Sequence, residues 1–201
     1  MKKIRNIIIA LIVIIFILIV GYVTYQYVLL INLYELKENN KVFSNIYFKQ
    51  ISNSQTIKYY RLDNIVKVSF KQNNDDGDIL AWNDYENNEY YTLFNNDNTY
   101  NTKHSIEYDI PIFNRSNNMS SIDKLLFAIN PTKNISTLDY NGYECYKIED
   151  NNYTVYIDRS TFIVVYEKIN NEETITNYEI NSVTEDDVSK PDITNYILKE
   201  L

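Results

Sequence analysis

The sequence is poor in the residues that build several common kinds of functional site. It has one cysteine, one histidine and one tryptophan, with three glycines and three prolines among 201 residues. A single cysteine, Cys145, excludes an internal disulfide and any zinc site made from paired cysteines. One histidine, His104, excludes a three-histidine metal site. Three widely separated glycines cannot form a phosphate-binding loop.

The charge of the chain is acidic and unevenly distributed. The formal net charge is −8, but Lys2, Lys3 and Arg5 all precede the first long apolar run, so residues 35–201 carry 16 basic and 27 acidic side chains. An acidic domain repels phosphate backbones and anionic lipid head groups. We therefore expect no nucleic-acid partner.

An uninterrupted apolar run, residues 7–23, is the strongest local signal. No charged residue follows it until Glu35, and a bilayer core requires roughly 20 helical residues. Basic residues before the run and an acidic domain after it place the N-terminus in the cytoplasm. We predict a single-pass protein of the cell membrane with a cytoplasmic tail (1–6), a transmembrane helix (7–29), a juxtamembrane linker or helix (30–45) and an extracytoplasmic β-rich domain (46–201).

A cleaved signal peptide is the alternative interpretation of this run. Residues 20–24 lack the A-x-A pattern of small residues that precedes a cleavage site. No cysteine stands where a lipoprotein would be acylated. An uncleaved signal anchor is therefore the preferred interpretation.

Beyond the apolar run, the hydrophobic pattern has mostly a period of two. Val66, Val68 and Phe70 alternate with polar residues, as in a half-buried strand. Asn141-Gly142 lies between two strand-like stretches and is a strong hairpin signal, because both residues tolerate positive φ. The sequence predicts a mainly β (α+β) fold, in which a curled antiparallel sheet of seven to nine strands follows the N-terminal helix.

One or two short helices accompany this sheet. Residues 121–130 form the better candidate, because Ser120 or Ser121 can cap the start and Pro131 ends the segment. Its apolar stripe consists of Ile122, Leu125, Leu126 and Ile129. A second cap-like turn is predicted at residues 184–187.

Residues 162–169 are apolar on both faces of a predicted strand, which indicates that both faces are covered. In a small domain, this pattern favours a curled sheet whose concave side is filled by a helix, a plug or a ligand.

The last third of the chain resembles the bacterial lipoprotein-carrier-like (LolA-type) superfamily, and in particular its membrane-anchored members from low-GC bacteria. The segments that carry the resemblance are Asn141–Glu149, Tyr156–Thr161, Asn177–Ile180, Val183–Val188 and Lys190–Ile193. The resemblance spans roughly residues 135–201 and implies a half-barrel of antiparallel strands closed by helices around an apolar concavity. Phe162-Ile163 stands where many relatives have Gly and Pro. The resemblance brings no catalytic residue, and an anchored chain does not fit the ferrying role of the soluble carrier.

Other candidate sites have ordinary structural explanations. His104 is expected in a surface loop, and Cys145 on a strand, facing away from the main core, without a neighbour that would activate its thiol. Residues 75–78 are acidic but lack the ligand spacing of a calcium loop. Trp82, Tyr85, Tyr90 and Tyr91 could form a sugar-stacking platform, or could simply be cross-strand pairs. We predict no catalytic residue, no metal site and no cofactor.

The leading functional hypothesis is a non-enzymatic binding domain that takes a lipid, an acyl chain or a lipidated protein in the concavity. A structural or interaction module that docks a partner envelope protein is the alternative, and an enzyme acting on cell-wall polymer is a third possibility that no carboxylate pair supports. The residues predicted to lie near the ligand are Phe70, Trp82, Phe94, Tyr146, Tyr156, Phe162 and Val164.

Overall fold

The computed structural model describes residues 2–35, 43–73, 77–102, 108–113 and 119–199. In these residues the protein is mainly β, with a large open sheet and two helices, one of which is long, apolar and N-terminal. Contacts divide the chain into two units. Unit 1 comprises residues 1–39 and 112–162, and unit 2 comprises residues 40–111 and 163–201.

The described residues form two helices and twelve strands. The helices are α1 (Lys2–Glu35) and α2 (Ser121–Ile129). The strands are β1 (Asn45–Ser52), β2 (Gln55–Leu62), β3 (Ile65–Gln72), β4 (Asp78–Asp84), β5 (Glu89–Phe94), β6 (Thr99–Asn101), β7 (Lys133–Tyr140), β8 (Tyr143–Asp150), β9 (Tyr153–Asp158), β10 (Val164–Ile169), β11 (Glu172–Ile180) and β12 (Ile197–Leu198).

Helix α1 has two parts with different surroundings. Large apolar side chains from Ile4 to Val20 are exposed, whereas Leu29, Leu30 and Leu33 near its C-terminal end are buried in unit 1. By length and composition, residues 3–34 are sufficient to cross a membrane. The helix is therefore continuous from an exposed apolar segment into the core of a folded unit.

Helix α2 and strands β7 to β9 complete unit 1. Ser120 caps α2: its side chain accepts a hydrogen bond from the backbone N–H of Asp123, and the Asp123 carboxylate accepts from the backbone N–H of Ser120 in return. Strands β7, β8 and β9 form antiparallel hairpins in chain order. Both α1 and α2 contact β7, and they contact each other.

Unit 2 contains an open sheet of nine strands in the order β12-β6-β5-β4-β3-β2-β1-β11-β10. Neighbours from β1 to β6 are antiparallel, and so are β1 with β11 and β10 with β11, whereas β12 pairs with β6 in parallel. Strand β12, from the last part of the chain, thus pairs with β6.

One face of this sheet, here the core face, carries the main hydrophobic core. The Phe48 ring stacks on Tyr59 with centroids 4.6 Å apart, and Tyr108 packs against Phe48 from outside the sheet. The Tyr108 hydroxyl donates to the side-chain carbonyl of Gln50. The buried cluster consists of Phe43, Ile46, Phe48, Ile57, Tyr59, Val66, Val68, Ala81 and Ile163.

The opposite, outer face of the sheet is crossed by residues 183–190, here the C-terminal segment. Trp82 Nε1–H donates to the Val188 carbonyl at 2.8 Å, and Lys67 Nζ donates to the Asp187 carbonyl at 2.9 Å. The predicted turn at residues 184–187 is present, because the backbone N–H and hydroxyl of Thr184 both donate to the Asp187 carboxylate. These hydrogen bonds lower the pKa of Asp187.

Asparagine supplies most of the turns that glycine would supply in other proteins. Among the described residues, positive φ occurs at six asparagines and also at Asp63, Phe162 and Gly142. Asparagine tolerates this region better than other residues with a Cβ, because its short polar side chain can bond locally. Abundant asparagine therefore compensates for the scarcity of glycine.

Several sequence predictions can be compared with these elements. The helix at residues 121–130 and the Asn141-Gly142 hairpin are confirmed, with φ of 50° and 86° at the two turn residues. The described residues contain more strands than the seven to nine expected, because short edge strands such as β6 and β12 carry little periodic signal. The predicted juxtamembrane segment lies partly outside the described residues, as do His104, Asp75 and Asp76.

Candidate functional site

Two of the predicted ligand residues, Phe70 and Phe94, lie in one row on the core face of unit 2. Phe70 on β3 is opposite Ile79 on β4, and Ile79 is opposite Phe94 on β5. Directly opposed residues of antiparallel strands share a face, so the three side chains form a continuous apolar strip. All three are half-buried, and the Phe70 ring meets Tyr108 edge-on at 5.8 Å.

These three residues line an open cleft of about 430 Å³, here the Phe70 cleft. Its volume is within the range of small-molecule sites, about 300 to 1,000 Å³. Gly77 permits the close approach of one wall, because a Cβ at that position would meet the Asn96 side chain at 1.7 Å. The lining residues are Gln55, Phe70, Gln72, Gly77, Ile79, Phe94, Asn96 and Asp97.

The rim of the Phe70 cleft is polar, and Asp97 is its charged member. The Thr99 hydroxyl donates to Asp97 at 2.6 Å, and the Lys199 ammonium lies 3.7 Å from the other carboxylate oxygen. The hydrogen bond from Thr99 lowers the pKa of Asp97, with a smaller contribution from Lys199. An apolar floor with amide and carboxylate groups at the rim suits a ligand that has an apolar body and a polar end.

Trp82 lies on the outer face of the same sheet, away from the Phe70 cleft. It lines a second cleft of about 540 Å³ with Val188 and Lys190, and only 4 % of its surface is exposed. The Lys190 ammonium lies 4.8 Å from the Tyr91 ring centre and 5.9 Å from the Trp82 ring centre. The C-terminal segment therefore covers Trp82, which leaves little of its ring for stacking on a sugar.

The predicted residues of unit 1 do not share one face. Tyr146 is opposite Ile157, whereas Tyr156 is opposite Lys147, so Tyr146 and Tyr156 project from opposite faces of the β7–β9 sheet. Tyr146 lines another cleft, of about 410 Å³, beneath the Arg159 guanidinium. Tyr156 packs edge-on against Tyr140 at 5.0 Å.

Phe162 is the last residue of unit 1, and Val164 is the second residue of the second segment of unit 2. Phe162, in unit 1, has φ of 62°, an uncommon conformation for a bulky residue. Its backbone N–H donates to the Asp158 carbonyl at 2.8 Å. Val164, the first residue of β10 in unit 2, is half-buried, and its backbone N–H donates to the Pro111 carbonyl at 2.7 Å.

Cys145 is inaccessible, although it lies on the face of β8 opposite to Tyr146 and Ile148, as expected. Its side chain is fully buried, because both faces of β8 are covered at this position. Burial, with smaller contributions from Asp158 and Asp139, raises the pKa of the thiol to about 12. The thiol is therefore protonated at neutral pH, which opposes a nucleophilic role.

Sequence reasoning missed the polar part of the Phe70 cleft. Gln55, Gln72 and Asn96 are distant in the sequence, and only the register of β2, β3 and the β5–β6 turn gathers them. In a chain rich in asparagine, no composition signal distinguishes Asn96 from other turn residues. Gly77 is the one available signal, because a rare glycine marks a close approach.

Among the residues that the structure describes, no group of three or more histidine, cysteine, aspartate or glutamate side chains could hold a metal ion. No protein-family model matches the chain, and no curated protein matches it either.

Proposed function

We propose that the chain is a membrane-anchored, extracytoplasmic binding domain without catalytic activity, which holds the apolar part of a lipid, an acyl chain or a lipidated protein in the Phe70 cleft. The observation that carries the proposal is the strip of Phe70, Ile79 and Phe94, aligned by strand register at the floor of an open cleft. Other residues of the core face, such as Phe48 and Val68, are completely buried.

The continuity of α1 supports an anchor that stays attached. Gln26, Leu30 and Leu33 are almost fully buried in unit 1, on the same uninterrupted helix that carries the exposed apolar residues. A cleaved signal peptide would be separable from the fold, whereas this helix contributes side chains to its core. The basic residues Lys2, Lys3 and Arg5 support a cytoplasmic N-terminus.

The LolA-type resemblance of residues 135–201 agrees with an apolar ligand. In that family, the ligand lies in the concavity of a half-barrel, and a sheet curled around the core face would form such a concavity. The half-barrel itself stays a prediction. A role in ligand binding for the other five predicted residues, Trp82, Tyr146, Tyr156, Phe162 and Val164, also stays a prediction. Phe70 and Phe94 are the two that the Phe70 cleft supports.

The proposal can be tested with a photoreactive ligand. We would reconstitute the full chain in phosphatidylcholine nanodiscs, because removal of α1 would take core side chains from unit 1. After addition of a diazirine-bearing palmitate and illumination, mass spectrometry would locate the labelled peptides. We expect labelling on β3, β4 and β5, in addition to labelling of α1 by lipid-dissolved probe.

Ile79→Asn should reduce the labelling of β3 to β5 several-fold, because it places an amide in the apolar floor. Ile175→Asn is a matched control, since Ile175 is equally half-buried but lies on the outer face of the sheet. An absence of labelling on β3 to β5 in the unmodified chain would contradict the proposal. Equal losses in the two variants would show that the label does not report the Phe70 cleft.

A module that docks a partner envelope protein is the second candidate. The filled core of unit 2 favours it, because Ile46, Phe48 and Val68 are completely buried without a ligand. This candidate would become the working answer if the palmitate probe does not label β3 to β5.

A further inference from the structure

Helix α2 turns its apolar stripe away from the protein. Ile122, Leu125, Leu126 and Ile129 are between 48 and 70 % exposed, whereas Lys124 and Ala128 on the other side of the helix are 4 % and 3 % exposed. The buried side packs against α1 and β7. A helix in a water-soluble protein normally directs such a stripe to the core. We therefore expect another apolar surface to contact this face of α2.

The position of α2 on α1 identifies what covers this face. Only Asn130, Pro131 and Thr132 separate α2 from β7. At the start of β7, the Asn134 side chain accepts hydrogen bonds from Tyr22 and Gln26 of α1, at 3.2 and 2.7 Å. The C-terminal end of α2 is therefore close to the Tyr22–Gln26 turn of α1.

The same turn marks the end of the exposed apolar part of α1. Residues 7–25 of a helix with a rise of about 1.5 Å per residue span about 28 Å, close to the thickness of a bilayer core. Tyr22 and Tyr25 are exposed at this boundary, where amphipathic rings prefer the membrane interface. If α1 spans the bilayer, then α2 is at the level of the bilayer surface.

We propose that the apolar face of α2, formed by Ile122, Leu125, Leu126 and Ile129, inserts into the surface of the bilayer that α1 spans. The inference rests on the membrane anchor of the proposed function. Because α2 contacts α1, lipid around the exposed apolar residues of α1 is in reach of this face. Insertion is driven by apolar burial, because the nine residues of α2 include only one acidic and one basic side chain.

The consequence is a two-point attachment of unit 1 to the membrane. A single helix leaves a domain free to rotate and tilt above the bilayer. A second, interfacial helix packed against the first fixes the orientation of β7, which both helices contact. The described part of unit 1 thus has a built-in membrane-facing side.

Site-directed labelling of the full chain in phosphatidylcholine nanodiscs tests this inference. In a Cys145→Ala background, single cysteines at Leu125 and Leu126 would carry a nitroxide, and their accessibility to oxygen and to a water-soluble nickel reagent would be compared. Ile14→Cys on α1 is the reference for lipid. Glu144→Cys, a largely exposed position near the hairpin at the other end of β7, is the reference for water.

We expect the labels at 125 and 126 to have an oxygen-to-nickel accessibility ratio several-fold above that at 144 and closer to that at 14. A ratio equal to that at 144, while position 14 is in lipid, would overturn the inference and leave the anchor intact. Low accessibility to both reagents would overturn it in favour of a protein partner or a second copy. A water-like ratio at position 14 would instead contradict the anchor and the proposed function.

Discussion

The side-chain carbonyl of Gln26 accepts a hydrogen bond from the backbone N–H of Ile135 at 2.6 Å. The same side chain donates to the side-chain carbonyl of Asn134 at 2.7 Å, so one amide of α1 bonds two successive residues of β7. A glutamine amide has the same two groups as a peptide bond. Gln26 therefore supplies one backbone hydrogen bond that a neighbouring strand would supply at the edge of β7, and it joins the apolar helix to the sheet.

Gln26→Leu should destabilise unit 1. It keeps the size of the side chain but leaves the buried Ile135 N–H without its acceptor, at a cost of about 1 to 3 kcal/mol. Tyr25→Leu is the control, because it creates the same residue at the adjacent exposed position. The midpoint of thermal unfolding of the detergent-solubilised chain is measured for both variants. Equal midpoints for the two variants would mean that the Gln26 hydrogen bonds contribute nothing measurable.

Gly142→Ala and Gly21→Ala should change stability in opposite directions. Gly142 has φ of 86° in the β7–β8 turn, where a Cβ is strained, so we expect a loss of about 1 kcal/mol. Gly21 is inside α1 with no atom near the position of a new Cβ, so alanine should be neutral or stabilising there. Denaturant titration measures the free energy of unfolding of the two variants. No loss in Gly142→Ala would contradict the assigned turn, and a loss in Gly21→Ala would contradict the open surroundings of Gly21.

Cys145 should react very slowly with thiol reagents in the folded protein. A pKa of about 12, against about 9 for an ordinary thiol, reduces the reactive thiolate roughly 1,000-fold at pH 8, and burial slows the reagent further. Because the folded pKa is raised, the associated stability is present below pH 9 and is lost between pH 9 and 12. Maleimide labelling with and without denaturant measures the difference. Similar rates in both conditions would show that Cys145 is accessible.

Val188→Asp should release the C-terminal segment from the outer face of the sheet. A buried carboxylate without a partner costs several kcal/mol, and Val188 covers the only tryptophan, Trp82. The fluorescence of Trp82 should therefore shift to longer wavelength while the circular dichroism of the sheet is retained. Ser189→Asp, at the exposed neighbouring position, should leave the emission unchanged. An unshifted emission spectrum in Val188→Asp would mean that residues other than the C-terminal segment shield Trp82 from solvent.

The elements of this fold that depend on local sequence were predictable. The capping serine and the final proline define α2, and Asn141-Gly142 defines the β7–β8 turn, because each acts through its own backbone. The orientation of α2 was not predictable. Its apolar stripe is visible in the sequence, but a periodic pattern does not reveal whether the apolar side meets protein or another apolar phase.

The candidate site was predictable only in part for a related reason. Phe70 and Phe94 were expected near a ligand because they are apolar residues on predicted strands, and the strand register does bring them together through Ile79. Trp82 was grouped with them but lies on the opposite face. A shift of one residue in a strand exchanges its faces, and one sequence alone does not fix the register between strands that are not joined by a tight turn.

The pairing of β1 with β11 determines when unit 2 can complete its folding. Strands β1 to β5 connect through successive hairpins and can form locally, whereas the Asn45 side chain donates to a carbonyl 138 residues away, at Val183. Until β11 is available, one edge of β1 has no neighbour, and such an edge is a template for intermolecular pairing. Folding dominated by distant contacts is slow, on the order of milliseconds to seconds. We expect emerging chains to be most prone to aggregation in the interval between the appearance of β5 and that of β11.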